Sequence, residues 1–468
     1  MAGSGALWQG CAEFSRRQTI DRRGFLKVGV VGSAGLSLAG LLQHEALAGA
    51  AASRERSVII LWMAGGPSHL DMWDPKPDAP VEVRGEFGAI GTKVPGIQLS
   101  EMLPMSARLM DKWSIVRSLH HRPEDGPADH GSGDQICLTG YPAAPNSDQS
   151  TLETIHPSCG AIVAEQLGRR HPELPANVVI PRMIPGTNSA YLGAAYKPFE
   201  TGADPADAGP FKVRNLQMTP ELTIGRLGDR KQLLSDMDRL RGRLDAAGQM
   251  GAWNRFEQQA MEMLTSEAAQ RAFDLDAEPR AVRERYGFMS RFVPKPGTCC
   301  SSLPAWSQRV LLARRLIEAG VRIVTVNMRF WDTHEANFDA LRRGHLPPFD
   351  KVYTALIEDL QQRGLLGSTL VIAWGEFGRS PRVNGKAGRD HWPGAFNAAL
   401  AGGRVQGGRV VGSSDAIGAA PKDSPKTPQD VLATLYHHLG IDPGKYYQDN
   451  SGRPIPVLPC GEPIAQLF

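Results

Sequence analysis

Hydrophobic positions along the chain follow two periods. Short runs that are apolar at nearly every place recur at Ser57–Met63, Trp113–Val116, Asn177–Ile180, Val321–Asn327, Ser368–Trp374 and Asn397–Leu400. Unbroken runs of this kind fit strands covered on both faces, because a half-exposed strand would turn polar at every second residue. Between several of them the spacing lengthens to that of a helix. Val310, Leu311, Ala313, Leu316 and Ile317 mark Trp306–Ala319, and Val352, Leu356, Ile357 and Leu360 mark Phe349–Gln362. The same period returns in Pro428–Gly440, where His437 and His438 read as ordinary helix histidines. Strands alternating with helices predict an α/β fold with a mostly parallel central sheet and helices on both faces.

The remaining segments are polar. Pro198–Pro210, rich in Gly, Pro, Ala and Asp, reads as a loop. Arg230–Phe273 is highly charged with helical spacing, so residues 198–290 are expected to form a loop plus a helical insertion, either a lid or a covering helix pair. The 51 glycines and 35 prolines favour many ordered loops over long regular elements.

The N-terminus is an address. Asp21-Arg22-Arg23-Gly24-Phe25-Leu26-Lys27 is a twin-arginine core, Val28–Leu42 a weakly apolar segment, and Ala46-Leu47-Ala48 a small-residue cleavage site. Residues 1–48 are therefore expected to be a signal peptide, and 49–468 the exported domain. The apolar segment falls short of the roughly 20 residues that a spanning helix needs, so no stable membrane span is expected. The implied location is the periplasm or another extracytoplasmic space, with the twin-arginine translocase as a partner during export. Removing residues 1–48 takes away five basic and three acidic side chains, and the net charge falls from +3 to +1. With no Lys/Arg run, nucleic acid is not an expected partner. Cys137, Cys159, Cys299, Cys300 and Cys460 remain; their spacing matches no zinc ribbon and leaves at least one thiol unpaired.

Candidate chemistry collects at strand ends. Ser368–Trp374 stops at Gly375 and delivers Glu376 at once; Val321–Asn327 is followed by Asp332, His334 and Glu335; Asp390-His391 sits in a Gly-rich loop. Ligands of open α/β sheets bind at that edge. Gly65-Gly66-Pro67-Ser68-His69 with Asp71 and Asp74 follows the first strand, and His120–Asp134 packs three histidines and four acids into a Gly-rich loop. Imidazole with carboxylate suits Zn²⁺ or Mn²⁺, whereas an all-oxygen set suits Mg²⁺ or Ca²⁺.

Together, Gly65-Gly66-Pro67-Ser68 with Asp71 and Asp74-Pro75-Lys76, Trp331-Asp332-Thr333-His334, Trp374-Gly375-Glu376-Phe377-Gly378-Arg379 and Gly388-Arg389-Asp390-His391-Trp392-Pro393 resemble the domain of unknown function 1501 family. Its members are typically twin-arginine exported and are grouped with the alkaline phosphatase and sulfatase superfamily. The resemblance runs from about Ser57 to Phe468 and implies an alkaline phosphatase-like fold. It places Asp332, His334, Glu376 and His391 as ligands of one or two divalent cations, and Asp390, beside His391, is expected to join them. Leu138-Thr139-Gly140-Tyr141-Pro142 resembles the sulfatase element downstream of the nucleophile, and counting back from it lands on His130, with Ser132 the nearest hydroxyl. Gly65 and Gly66 stand where the superfamily has its first metal Asp, so Asp71 or His69 would have to substitute.

The expected activity is metal-dependent hydrolysis of a sulfate or phosphate ester, on a small molecule or a glycan. His130, Ser132 or a water on the metal would attack, and Arg379 and Arg389 would clamp the anion. The alternative is a catalytically lapsed member that binds a sulfated or phosphorylated glycan or envelope component. Export is the most direct point to check: Arg22→Lys with Arg23→Lys should leave unprocessed protein in the cytoplasm. Equal periplasmic recovery of variant and wild type would refute the assignment of residues 1–48.

Overall fold

Eight strands form the central sheet: β1 (Ser57–Trp62), β2 (Trp113–Leu119), β3 (Asn177–Ile180), β4 (Phe199–Glu200), β5 (Ile323–Asn327), β6 (Thr369–Trp374), β7 (Phe396–Ala401) and β8 (Val410–Val411). The structure is a computed structural model and describes residues 55–143, 154–207, 211–213, 262, 266–288 and 306–468. The expected signal peptide, most of the expected insertion, Cys299 and Cys300 lie outside the described residues. In space the strands run β8-β2-β7-β6-β1-β5-β3-β4. All pairings are parallel except those of β7 with β2 and β6, so the sheet is mostly parallel.

β1 lies at the centre, and all six of its residues are buried. Ile59, Leu61 and Met63 join a core on one face, while Val58, Ile60 and Trp62 join a core on the other. Helices Ser307–Glu318 and Leu346–Gln362 supply the first core; His130–Thr139, Cys159–Leu167 and Pro428–Leu439 supply the second. Helices thus cover both faces, as the unbroken apolar strand runs required.

Two segments depart from expectation. The Gly-rich stretch expected as a loop over His120–Asp134 becomes helical at His130, opening helix His130–Thr139. Asp129 caps it by accepting the Ser132 amide at 2.9 Å, and burial of Gly131–Thr139 outweighs the poor helix propensity of two glycines. Pro198–Pro210, expected as a loop, contributes edge strand β4, which pairs Phe199 and Glu200 with Val178 and Val179. The described part of the insertion includes helices Glu267–Phe273 and Arg280–Tyr286, which pack on Ser307–Glu318. Arg314, buried there, pairs with Glu278 at 2.7 Å and Asp359 at 2.9 Å. Cys137 and Cys159 are buried free thiols, and Cys460 is an exposed one. No helix among the described residues is long and apolar enough to cross a membrane.

His438 ties the C-terminal helix to the sheet. Its ring nitrogens lie 3.0 Å from the Ser57 carbonyl oxygen and 3.2 Å from that of Gly403. Burial disfavours the charged ring and pushes its pKa from 6.5 down to about 4, despite those carbonyls. The unfolded chain therefore takes up a proton near pH 6.5 that the folded chain takes up only near pH 4. This contribution to stability is complete above pH 6.5 and is lost as the pH falls towards 4. His438→Gln should weaken the loss of stability over that window by roughly 3 kcal/mol, read by urea unfolding at several pH values. An identical pH dependence in variant and wild type would contradict the assignment.

Candidate metal centre

Register brings the chemistry together. Trp62 on β1 pairs with Asn327 on β5 and with Trp374 on β6, so the three strands end at one level. Just beyond, Glu376 is fully buried; its Oε1 accepts the Gly65 amide at 2.7 Å and lies 2.6 Å from His130 Nδ1. Its Oε2 is buried without a hydrogen-bond partner among the described residues. Gly65 has φ +111°, and a Cβ there would stand 2.5 Å from the Asp332 amide nitrogen, so only glycine lets the first loop lie against the Asp332 segment.

His130 and Asp134, four residues apart, lie on one face of their helix and turn towards this edge. His130 Nε2 is 3.3 Å from Asp332 Oδ2, and Asp134 Oδ1 accepts the Trp62 indole N–H at 3.0 Å. Burial and the neighbouring charge of Glu376 push the Asp134 carboxyl well above its usual range.

The centre of the cluster is Asp332. Its Oδ1 lies 3.0 Å from His334 Nε2 and 3.3 Å from His391 Nε2, and those two nitrogens are 3.0 Å apart. The other ring nitrogens are fixed from outside: His334 Nδ1 lies 2.9 Å from Asp390 Oδ1, and His391 Nδ1 lies 2.8 Å from the Ala128 carbonyl oxygen. His130, Asp332 and His391 likewise offer ligand atoms within 4.8 Å of one another. Gly388 admits the His391 loop, since a Cβ there would fall 1.8 Å from the His334 carbonyl oxygen. The Phe377 ring stacks on His130, centroids 5.3 Å apart, and approaches His391 at 4.6 Å.

Charges follow this geometry. Burial is the largest influence on His130 and lowers its pKa, but hydrogen bonds and charges of Asp332 and Glu376 prevail and raise it to about 10. Burial alone would raise Asp332, yet the hydrogen bonds of His130 and His391 and the Arg379 charge hold it well below the usual carboxylate range. The hydrogen bond from His334 likewise lowers Asp390.

Six expected residues are therefore brought together: His130, Asp332, His334, Glu376, Asp390 and His391. Four are placed otherwise. Asp71, expected as a metal ligand, is buried and receives Arg389 at 2.8 and 3.0 Å, Ser68 Oγ at 2.6 Å and Asn337 at 2.9 Å, which occupies its oxygens. Arg389, expected to clamp an anion, spends its charge on Asp71 and its other N–H groups on the Val83, Ser380 and Pro381 carbonyls. Arg379 is turned inward as well, donating to the Gly65, Gly66 and Arg389 carbonyls and to Asp332. Ser132, a candidate nucleophile, donates its hydroxyl to Asp129 at 2.8 Å, away from the face that carries His130. Asp74 pairs with Lys76 and Arg117, and His69 lies 2.8 Å from the Gly418 carbonyl oxygen. Asp134 stood in the acid-rich His120–Asp134 stretch and Phe377 in the Glu376 motif, but neither was expected at the site; the four-residue step from His130 to Asp134 was a signal for the first once that segment is read as helix.

The family described as "Protein of unknown function (DUF1501)" matches residues 55–468. No curated protein matches the chain. Among solved structures the chain is similar to the PsFucS1 sulfatase from Pseudoalteromonas sp., at 13% identity and TM-score 0.35, covering 84% of this chain and 69% of that one. It is similar to the phosphonate monoester hydrolase SpPMH from Silicibacter pomeroyi, at 11% identity and TM-score 0.33, covering 88% and 76%. It is also similar to the lipoteichoic acid synthase LtaP from Listeria monocytogenes, at 8% identity and TM-score 0.33, covering 86% and 76%.

The inward placement of Arg389 has a measurable consequence. Arg389→Ala would strand the buried Asp71 carboxylate and should destabilise the protein by about 3–5 kcal/mol in denaturant unfolding. A loss below about 1 kcal/mol would mean that Arg389 is not the partner that keeps Asp71 buried.

Proposed function

We propose that this chain, which belongs to the DUF1501 family, is an exported metal-dependent hydrolase of a sulfate or phosphate ester. One observation carries the reading: Asp332 Oδ1, His334 Nε2 and His391 Nε2 stand 3.0–3.3 Å from one another. Donors so spaced can surround an ion about 2.0–2.2 Å from each, and one carboxylate with two imidazoles suits Zn²⁺ or Mn²⁺ better than Mg²⁺ or Ca²⁺. Asp390 and the Ala128 carbonyl hold the two rings with Nε2 inward, as outer contacts of ligating histidines do. Bound there, a divalent cation supplies Lewis-acid polarisation of the ester and stabilisation of charge on the leaving oxygen.

The chain's own residues manage the proton. Glu376 Oε1 lies 2.6 Å from His130 Nδ1 and sets the ring with Nε2 towards the cluster, where the neutral ring would accept a proton from the attacking water. Burial lowers His130, but Asp332 and Glu376 raise it to about 10; a cation held by Asp332 would oppose that rise and leave more of the ring neutral and able to take a proton. Phe377 covers the His130 and His391 rings and keeps water from that side. The tie of Ser132 to Asp129 favours water over serine as the attacking group. It equally favours the second reading, a non-hydrolytic member that binds a sulfated or phosphorylated glycan.

Protein dialysed against Zn²⁺ or Mn²⁺ should retain about one equivalent, lost in His334→Ala and His391→Ala, and chelation should lower the melting temperature by several degrees. With aryl sulfate and aryl phosphate substrates, His130→Ala should cost about 10²–10⁴-fold in rate while Ser132→Ala stays near wild type. Wild type without metal would refute the proposal. Glycan binding without ester turnover would select the second reading.

A further inference from the structure

Arg379 and Arg389 are both turned into the protein, so neither is free to meet the outer oxygens of an anionic ester. Arg329 is placed to do so. It follows β5 by two residues, on the stretch that leads to Asp332. Side chains alternate along this strand: Val324, Val326 and Met328 enter the core on one face, whereas Ile323 enters the core shared with helix His130–Thr139. The alternation puts Arg329 on the side of His130 and Asp134. Arg329 is exposed and has no hydrogen-bond or ion-pair partner among the described residues. Its positive charge still reaches the buried Asp134 carboxyl and opposes the effect of burial there.

The backbone supplies a second, independent observation. Phe330 has φ +89°, a conformation that a bulky residue keeps only when its surroundings impose it, and such strain gathers at ligand sites. Here the surroundings are visible. His345, buried at the end of a π-helical turn over Leu341–His345, sets Nε2 2.7 Å from the Phe330 carbonyl oxygen. Behind it, Trp331 stacks on Trp306 with centroids 4.9 Å apart. The fold spends a strained residue and a π-turn to keep Arg329 and the Phe330 ring at the rim, where both stay exposed.

We propose that Arg329, held at the rim by the strained Phe330 turn, binds the non-reacting oxygens of a tetrahedral sulfate or phosphate group presented to the metal cluster. A planar guanidinium can donate to two such oxygens at once, which an ammonium cannot match. Phe330 offers its face to the carbon skeleton of the ester. The inference rests on the hydrolase reading for the position of the anion, and the experiment separates the two.

Inorganic phosphate and, separately, inorganic sulfate are titrated calorimetrically into Zn²⁺-loaded wild type, Arg329→Gln, Arg329→Lys and the exposed control Arg280→Gln, with metal content and melting temperature measured on each. Arg329→Gln should weaken binding of the preferred anion roughly 10- to 100-fold, the loss of one charge-assisted contact, with metal content and melting temperature unchanged. Arg329→Lys should recover part of the affinity, and Arg280→Gln should match wild type. If Arg329→Gln keeps its metal and binds the anion within about twofold of wild type, the inference falls and the metal site stands. If wild type holds metal but binds neither anion, the inference falls as well. If wild type holds no metal, the hydrolase reading falls. Anion binding that is then still lost in Arg329→Gln supports Arg329 on its own, and binding that is unchanged overturns it.

Discussion

The buried Arg379 guanidinium donates to four oxygens: the carbonyls of Gly65, Gly66 and Arg389 and the carboxylate of Asp332. They come from three separate segments: the loop after β1, the stretch after β5 and the loop that carries His391. A buried cation with unmet donors costs several kcal/mol, so each segment is held where its oxygen meets the guanidinium. Asp332 is thereby fixed in place, and its charge is balanced enough to remain ionised among histidines. Arg389 repeats the device one layer away, pairing with Asp71 and so tying the loop that carries Asp390 and His391 to the segment after β1.

Those segments meet because of the sheet. β1 lies between two parallel partners whose last residues are in register with its own, so three chain ends emerge side by side at the C-terminal edge. Parallel strands need crossovers, and the helices that make them fill both faces and leave this edge as the open place. Glu376 comes directly off β6, and the Asp332 segment lies against Gly65 with no room for a side chain between them. The cluster around Asp332 is thus a consequence of strand order and register as much as of the residues themselves.

This explains what could be read from the chain. The strands and covering helices were legible because burial on two faces leaves an unbroken apolar run, and burial on one leaves a helical period; β3 was read to its ends. Asp332, His334, Glu376 and His391 were legible because each follows a strand or a glycine turn and belongs to a motif. The direction of a long polar side chain was not. Nothing local tells whether Arg379 or Arg389 points to a ligand or to carbonyls more than 300 residues away in sequence, such as Gly65 and Val83. Ser132 was misjudged for a related reason: a loop leaves a hydroxyl free, whereas the helix that forms there draws it to the capping Asp129.

The acids of the site are not equivalent, and burial sorts them. Asp332 has cationic neighbours and stays charged, while Asp134, buried beside Glu376, is driven towards its neutral form. Two like charges in a dry place repel strongly, so one neutral member removes the conflict. With Asp134 neutral, the charge of Glu376 is directed to His130, 2.6 Å away. That holds Nδ1 towards Glu376 and turns Nε2 to Asp332. The environment of Asp134 therefore bears on the charge around His130, both directly and through Glu376.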